Sequence, residues 1–188
     1  MNLLFRLMRV FLVSRFVRKR TFLETAILSF RVWPTDLDIN AHMTNSRYYS
    51  FMDLGRIDHV LRTQVGDYVL KHRLNFIVGG GMTRHRHAMN PFQKFTLHSQ
   101  ILGWDARWFY MEHRMKSEDG KELCVSFFRS AFLRKGRIVP PAELLELSGL
   151  DLSSPALPDW IAEWNDVDRK AAEYVPPSPA TPAVREAA

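Results

Sequence analysis

The hydrophobic period changes only twice between residues 23 and 133, and that order leaves few folds open. Ala26, Leu28, Phe30 and Val32 alternate with Thr25, Ile27, Ser29 and Arg31, the two-residue period of a strand. Pro34, which has no backbone donor, ends that run. Beyond an irregular stretch at 35–44, Tyr48, Phe51, Met52, Leu54, Ile57, Val60 and Leu61 recur at helical steps. The spacing predicts a helix over 46–65, closed by Gly66 as a C-terminal cap. Thr44 or Asn45 is the natural N-cap, its side-chain oxygen accepting from the first-turn amides. Four strand-like runs follow, at 75–87, 95–101, 107–117 and 121–133. Asp119-Gly120 between the last two is a hairpin signal, and Gly79-Gly80-Gly81 marks a bulge or a close backbone approach. The pattern reads as α+β, a five-stranded antiparallel sheet wrapped around one long central helix. Its uncovered face and edges then need accessory helices or a second subunit.

The chain has 188 residues, enough for one domain with appendages, and its hydrophobic fraction of 46% is that of a globular protein. Cys124, the one cysteine, alternates with apolar residues and reads as core; it can form neither an internal disulfide nor a cysteine-rich zinc site. The net charge of +6 is concentrated in one place. Arg6, Arg9, Arg15, Arg18, Lys19 and Arg20 account for all of it, and residues 1–20 contain no acid. The rest of the chain balances 20 basic against 20 acidic side chains, so a nucleic-acid partner for the domain is disfavoured. Residues 1–21 form a basic, apolar helix with three readings: docking on the domain, contact with an anionic membrane surface through residues 1–20, or a targeting peptide. Docking is preferred, because the arginines do not gather on one face and no small-residue cleavage site follows. No apolar run reaches the 18 residues of a membrane span. The expected organisation is completed by a domain at 22–139, a helical extension at 140–173 and a disordered Pro/Ala-rich tail at 174–188. The expected location is cytoplasmic, with the membrane surface as the alternative.

Chemistry concentrates between Asp36 and Tyr48, where two carboxylates, two amides and an imidazole lie between a strand end and a helix start. A helix N-terminus carries unpaired amides and roughly half a positive charge, so it can polarise a carbonyl. A carboxylate beside it can attack, or can activate water. The same composition also suits turn and capping duties. No GxSxG elbow, GxGxxG or P-loop spacing exists.

The run Asp38-x-Asn40-x-His42-Met43-x-Asn45-x-x-Tyr48, after Trp33-Pro34-x-Asp36, resembles the signature of hotdog-fold thioesterases of the 4-hydroxybenzoyl-CoA type and of plant acyl-ACP thioesterases. With Phe109-Tyr110 and Met111-Glu112-His113-Arg114, the likeness is greatest to the group that includes thioesterase superfamily member 6, over residues 22–139. The resemblance implies an acyl-CoA thioesterase, a homo-oligomer of at least two chains, needing no cofactor beyond the coenzyme A of its substrate and no metal. Asp38 then matches the catalytic carboxylate, while Asn40 and His42 match the residues that assist it or orient the thioester. Asn45 and Tyr48 match the residues opening the central helix. Thr44 replaces the first of the usual paired asparagines, and Ala41 stands where many relatives have glycine. Arg84, Arg86 and Arg107 are candidate contacts for coenzyme A phosphates. Phe51, Met52 and Trp108 are candidate lining for the acyl chain. His85 and His87 share a strand face, but no carboxylate or cysteine accompanies them as a metal site. Two rivals are a non-catalytic acyl- or lipid-binding protein of the same fold, at a membrane surface, and a dehydratase, whose His and acid register the sequence lacks.

Overall fold

A computed structural model describes residues 2–175, with side chains from residue 4 onward. Two compact units are present, residues 1–156 and 157–188. In the first, the sheet is antiparallel in the order β1-β3-β4-β5-β2. Its strands are β1 (Ala26–Arg31), β2 (Asn75–His85), β3 (Lys94–Trp104), β4 (Phe109–Ser117) and β5 (Glu122–Arg134). A sixth strand that the pattern did not announce, β6 (Arg137–Val139), pairs with the end of β5. Three residues offer too little periodicity to read. The sheet curls around α2 (Asn45–Leu61), the expected hotdog arrangement.

The central helix sits close against the sheet. A Cβ at Gly55 would lie 2.4 Å from Ser99 Oγ and 2.8 Å from Leu97 Cδ2, so the absent side chain is what lets α2 approach β3. Around its first half, Tyr48, Phe51, Met52 and Leu54 pack with Phe95, Leu97, Met115 and Phe128. A second cluster, with Ile101, Trp104, Phe109, Met111 and Phe132, lies around the following helix.

The helix expected over 46–65 is two. Helix α2 ends at Leu61, and α3 runs Gln64–His72. Thr63 turns the chain, its hydroxyl and amide both donating to Val60 O, at 2.9 and 3.1 Å. Gly66 is not a cap: it lies buried in α3, where a Cβ would meet Val60 O at 2.3 Å. The apolar period carried across the break because Val65 is buried in the second cluster. The N-cap is Thr44, in extended conformation, but it makes no side-chain capping hydrogen bond.

The glycine run in β2 does both things its composition suggested. The register with β5 shifts between Val78 and Gly80. A Cβ at Gly79 would strike the Trp108 ring at 2.4 Å, and one at Gly81 the Phe128 ring at 2.6 Å. Strand β2 is an edge, with Phe76 and Val78 exposed along it.

Helix α1 (Asn2–Phe16) docks on the domain through buried Val10 and half-buried Leu7. Its other side leaves Leu4, Phe5, Leu12 and Phe16 in solvent. No helix among the described residues is long and apolar enough to cross a membrane. Helix α4 (Pro141–Leu147) buries Leu144 and Leu145 in the second cluster. In the second unit, α5 (Trp160–Glu173) falls within the helical extension expected at 140–173, and Asp166 pairs with Arg169 and Lys170 along it. Of the expected tail, 176–188 lies outside the described residues.

Because α2 has no room at residue 55, Gly55→Ala is expected to lower stability by about 1–3 kcal/mol through overpacking. A reduced urea midpoint checks this; an unchanged midpoint would remove the close contact from the account.

Candidate active site

Strand β1 gives out at Arg31, and Val32 is buried behind it. Pro34 opens a single 3₁₀ turn that ends at Asp36 and draws its carboxylate wholly inside. There Oδ2 accepts from Trp33 N at 2.9 Å and Arg6 Nη2 at 2.7 Å, while Oδ1 accepts from Arg6 Nη1 at 2.9 Å. Arg47 stands farther off, at 3.5 Å. Asp36 O accepts from Thr44 N at 2.9 Å, and Leu37 bridges Met43. These contacts close the base of a tight loop over residues 38–42.

Within that loop Asp38 N donates to His42 O at 2.8 Å and Ala41 N to Asp38 O at 3.1 Å. Asp38 Oδ1 accepts from Asn40 N at 2.8 Å and His42 N at 3.3 Å, the local turn chemistry of aspartate. Ala41 has φ of 57°, a left-handed conformation that favours glycine. Asp38, Asn40 and His42 all face solvent in the single chain. The turn occupies Asp38 Oδ1, and Oδ2 has no hydrogen-bond partner among the described residues.

Next to this loop lies the start of α2. Asn45 is its exposed first residue, and no side chain caps the first turn, where Arg47 N donates to Thr44 O at 2.9 Å. Tyr48 is buried one turn in, its ring 4.5 Å from that of His85 at the end of β2. Burial pushes the Tyr48 hydroxyl up to about 12 and lowers His85, so Tyr48 stays protonated at neutral pH. Met43 N donates to Met89 O at 2.9 Å, tying the loop to the chain beyond β2.

The arginines do not converge. Arg84 is exposed beside His85, while Arg86 Nε is held by Glu122 at 2.6 Å. Arg107 lies in the β3–β4 turn, 5.0 Å over the Trp108 ring. That ring covers Gly79, and the length of β2 from there to His85 is about 20 Å at the rise of an extended strand. Trp108 is therefore distant from the loop, whereas Phe51 and Met52 are buried in the first core cluster.

The profile of the thioesterase-like superfamily matches residues 32–165. The chain belongs to this superfamily. Thioesterase lcsJ of Purpureocillium lilacinum is 29% identical over 150 residues, 67% of this chain and 48% of the fungal protein. Protein THEM6 of Xenopus laevis is 26% identical over 138 residues, 71% of this chain and 63% of the frog protein. The chain thus spans about half the length of the first relative and under two thirds of the second. YbaW, a probable thioesterase from Escherichia coli, shares the fold with a TM-score of 0.58 at 19% identity, over 64% of this chain and 94% of that one.

Two polar features of this superfamily member were not announced by its sequence. In the run 111–114, Met111 and His113 face inward while Arg114 pairs with Glu112 outside. His113 Nδ1 lies 2.8 Å from Ser99 Oγ, and its Nε2 lies 3.5 Å from Arg56 Nη1. A guanidinium only donates, so Nε2 accepts, Nδ1 carries the proton and Ser99 Oγ receives it. The pair is thus not set up for serine activation; it satisfies polar groups under α2. The second feature is His59, whose Nε2 donates to Phe22 O at 2.9 Å beside the buried Arg20–Asp58 ion pair, 2.7 Å long. Alternating strands and a helical stripe mark these positions as inward, but the partners come from distant segments.

Burial holds His59 neutral down to about 4 and keeps His113 well below the ordinary 6.5. Unfolding would let both take up protons below 6.5, so their contribution is complete above that pH and falls as pH drops toward 4. His59→Gln keeps a donor for Phe22 O but cannot titrate. Its melting temperature is expected to fall less steeply over this window than that of the wild type; equal slopes would contradict the assignment.

Proposed function

We propose that the protein is an acyl-CoA thioesterase, releasing a free acid and coenzyme A. The observation that carries this reading is the stapled loop that sets Asp38 beside the uncapped start of α2. The thioester oxygen would lie against the first-turn amides, where partial positive charge stabilises the developing oxyanion. Asp38 Oδ2 either attacks the carbonyl carbon, expelling the thiolate and leaving an anhydride for water to cleave, or removes a proton from the attacking water. Asn40 and His42 orient the thioester or assist from the same loop, and Asn45 and Tyr48 border the carbonyl site. The reaction uses no cofactor beyond the coenzyme A of the substrate.

We further propose a homodimer formed along the free β2 edge, whose exposed Phe76 and Val78 suit a second copy. In one chain Asp38 is open to water, so the second subunit would supply the wall that shields it. Arg84 is the arginine best sited for a coenzyme A phosphate. Arg86 would have to leave Glu122, and Arg107 could join only across a subunit boundary.

Asp38→Ala and Asp38→Asn are expected to lower kcat/KM for thiol release about 10²–10⁴-fold, across a panel of short, long and aromatic acyl-CoAs. Wild-type protein that cleaves none of them, or variants as active as wild type, would refute the proposal. Oxygen-18 in Asp38 after one turnover in labelled water would select the anhydride route.

A specific observation favours a membrane surface as the place of action. Helix α1 exposes Leu4, Phe5, Leu12 and Phe16 together with Arg9 and Arg15, and carries no acid, a combination that suits anionic lipid. Full-length protein is expected to float with vesicles containing phosphatidylserine, less so in high salt, and protein lacking residues 1–20 to remain in the pellet fraction. Equal behaviour of both would exclude α1 as the contact.

A further inference from the structure

Arg6 lies thirty-two residues before Asp38 in the sequence and belongs to α1, yet its partner Asp36 stands two residues from Asp38. We infer that Arg6 is a positioning residue for the proposed hydrolysis, holding the Asp38 loop in register through Asp36; this rests on the thioesterase reading above.

Asp36 has no solvent exposure, so its charge depends on protein partners. Arg6 supplies both of the short side-chain bonds it receives, one to each oxygen, at 2.9 and 2.7 Å. Such a two-pronged pair fixes direction as well as charge. The guanidinium is itself fixed: it lies 4.4 Å over the Phe51 ring of α2, and its Nη2 also reaches Arg31 O at 3.3 Å. Arg47 is a weaker partner, 3.5 Å away with its side chain 26% exposed, against 11% for Arg6.

What Asp36 holds is the loop's footing. Its carbonyl receives Thr44 N, the residue that opens α2, and its amide donates to Trp33 O at 2.8 Å. Leu37 and Met43 bridge directly above. If the Asp36 side chain turned outward to find water, the peptide that closes the loop would turn with it. Asp38 would then shift relative to the first-turn amides of α2. Among the described residues no hydrogen bond or ion pair joins Arg6 to Asp38, Asn40 or His42, so its loss acts on geometry and leaves substrate contacts in place. Helix α1 is therefore part of the site's scaffold as well as the element that faces outward.

The test is Arg6→Ala in the full chain, with Arg6→Lys and Asp36→Asn beside it. A misplacement of this kind is expected to cost about 10–100-fold in kcat while KM changes by no more than about twofold. Arg6→Lys, a point charge without the fork, should fall between wild type and Arg6→Ala. Added guanidinium at non-denaturing concentration should restore part of the kcat of Arg6→Ala; a merely destabilised protein would lose activity instead. Independently of turnover, the amides of Ala41, His42 and Thr44 should exchange with deuterium about tenfold faster in Arg6→Ala. Asp36→Asn, which removes the buried charge, keeps the test decisive if Arg6→Ala fails to fold: it should show the same kcat loss with KM retained. If wild type turns over, Asp38→Ala does not, and the Arg6 and Asp36 variants keep kcat and loop protection, the positioning inference alone is overturned. Wild-type protein that cleaves no thioester overturns the functional reading, and the inference with it.

Discussion

Helix α2 lies on strand β3 at a distance that any side chain at position 55 would forbid, since Ser99 Oγ and Leu97 already occupy that space. That contact sets the position of α2 against the sheet. With the helix axis fixed against the sheet, buried Tyr48 in its first turns packs against His85 at the end of β2. The chain must then travel from the end of β1 to the start of α2 within about a dozen residues. It does so by a 3₁₀ turn, one bridge and a tight loop. Loop shape is a consequence of where the two regular elements were already held.

The interior bears more charge than a domain of this size needs for packing. Asp36 meets Arg6 and Asp58 meets Arg20, while buried Arg56 lies over Phe128 and reaches out to the exposed Asp53. Replacing a buried ion pair by apolar groups often leaves stability unchanged or improved, whereas removing one partner is costly. The reason for keeping such pairs is therefore better sought in geometry than in stability. Two of them tie the N-terminal segment to the body: Arg6 reaches the loop, and Arg20 reaches the end of α2. Arg62, which donates to Arg18 O at 2.8 Å, adds a third tie. A segment whose composition admitted a targeting or surface role is thus anchored at both ends of the central helix.

The order of strands and helix was legible because periodicity reports which face of an element is buried, and β1 and β3 alternate cleanly. The loop could be read from Asp38 to Tyr48 because its residues follow a dense, fixed register. Ala41 shows how a departure from that register is absorbed: the backbone still takes the left-handed turn, without glycine. The break between α2 and α3 was hidden for a physical reason. Val60 and Val65 both point into apolar surroundings, so the pattern continues while the axis turns. Gly66 resembled a cap and is instead a point where α3 crosses the last carbonyls of α2. Arg107 and Trp108 were candidates for the phosphate and acyl ends of the substrate, but the Trp108 ring packs over Gly79, well along β2 from His85.

Local periodicity and short-range turn chemistry suffice for the class of fold, the place of the central helix and the identity of the loop that precedes it. Which of two neighbouring aspartates is buried and which stays exposed on the loop emerges in the folded chain alone. Asp36 and Asp38 are chemically alike and two residues apart, and no local rule separates them. Arg6, brought in from another helix, draws one carboxylate into the interior and leaves the other on the loop. A side chain's environment is set by whatever arrives in space, and a linear sequence does not rank those arrivals.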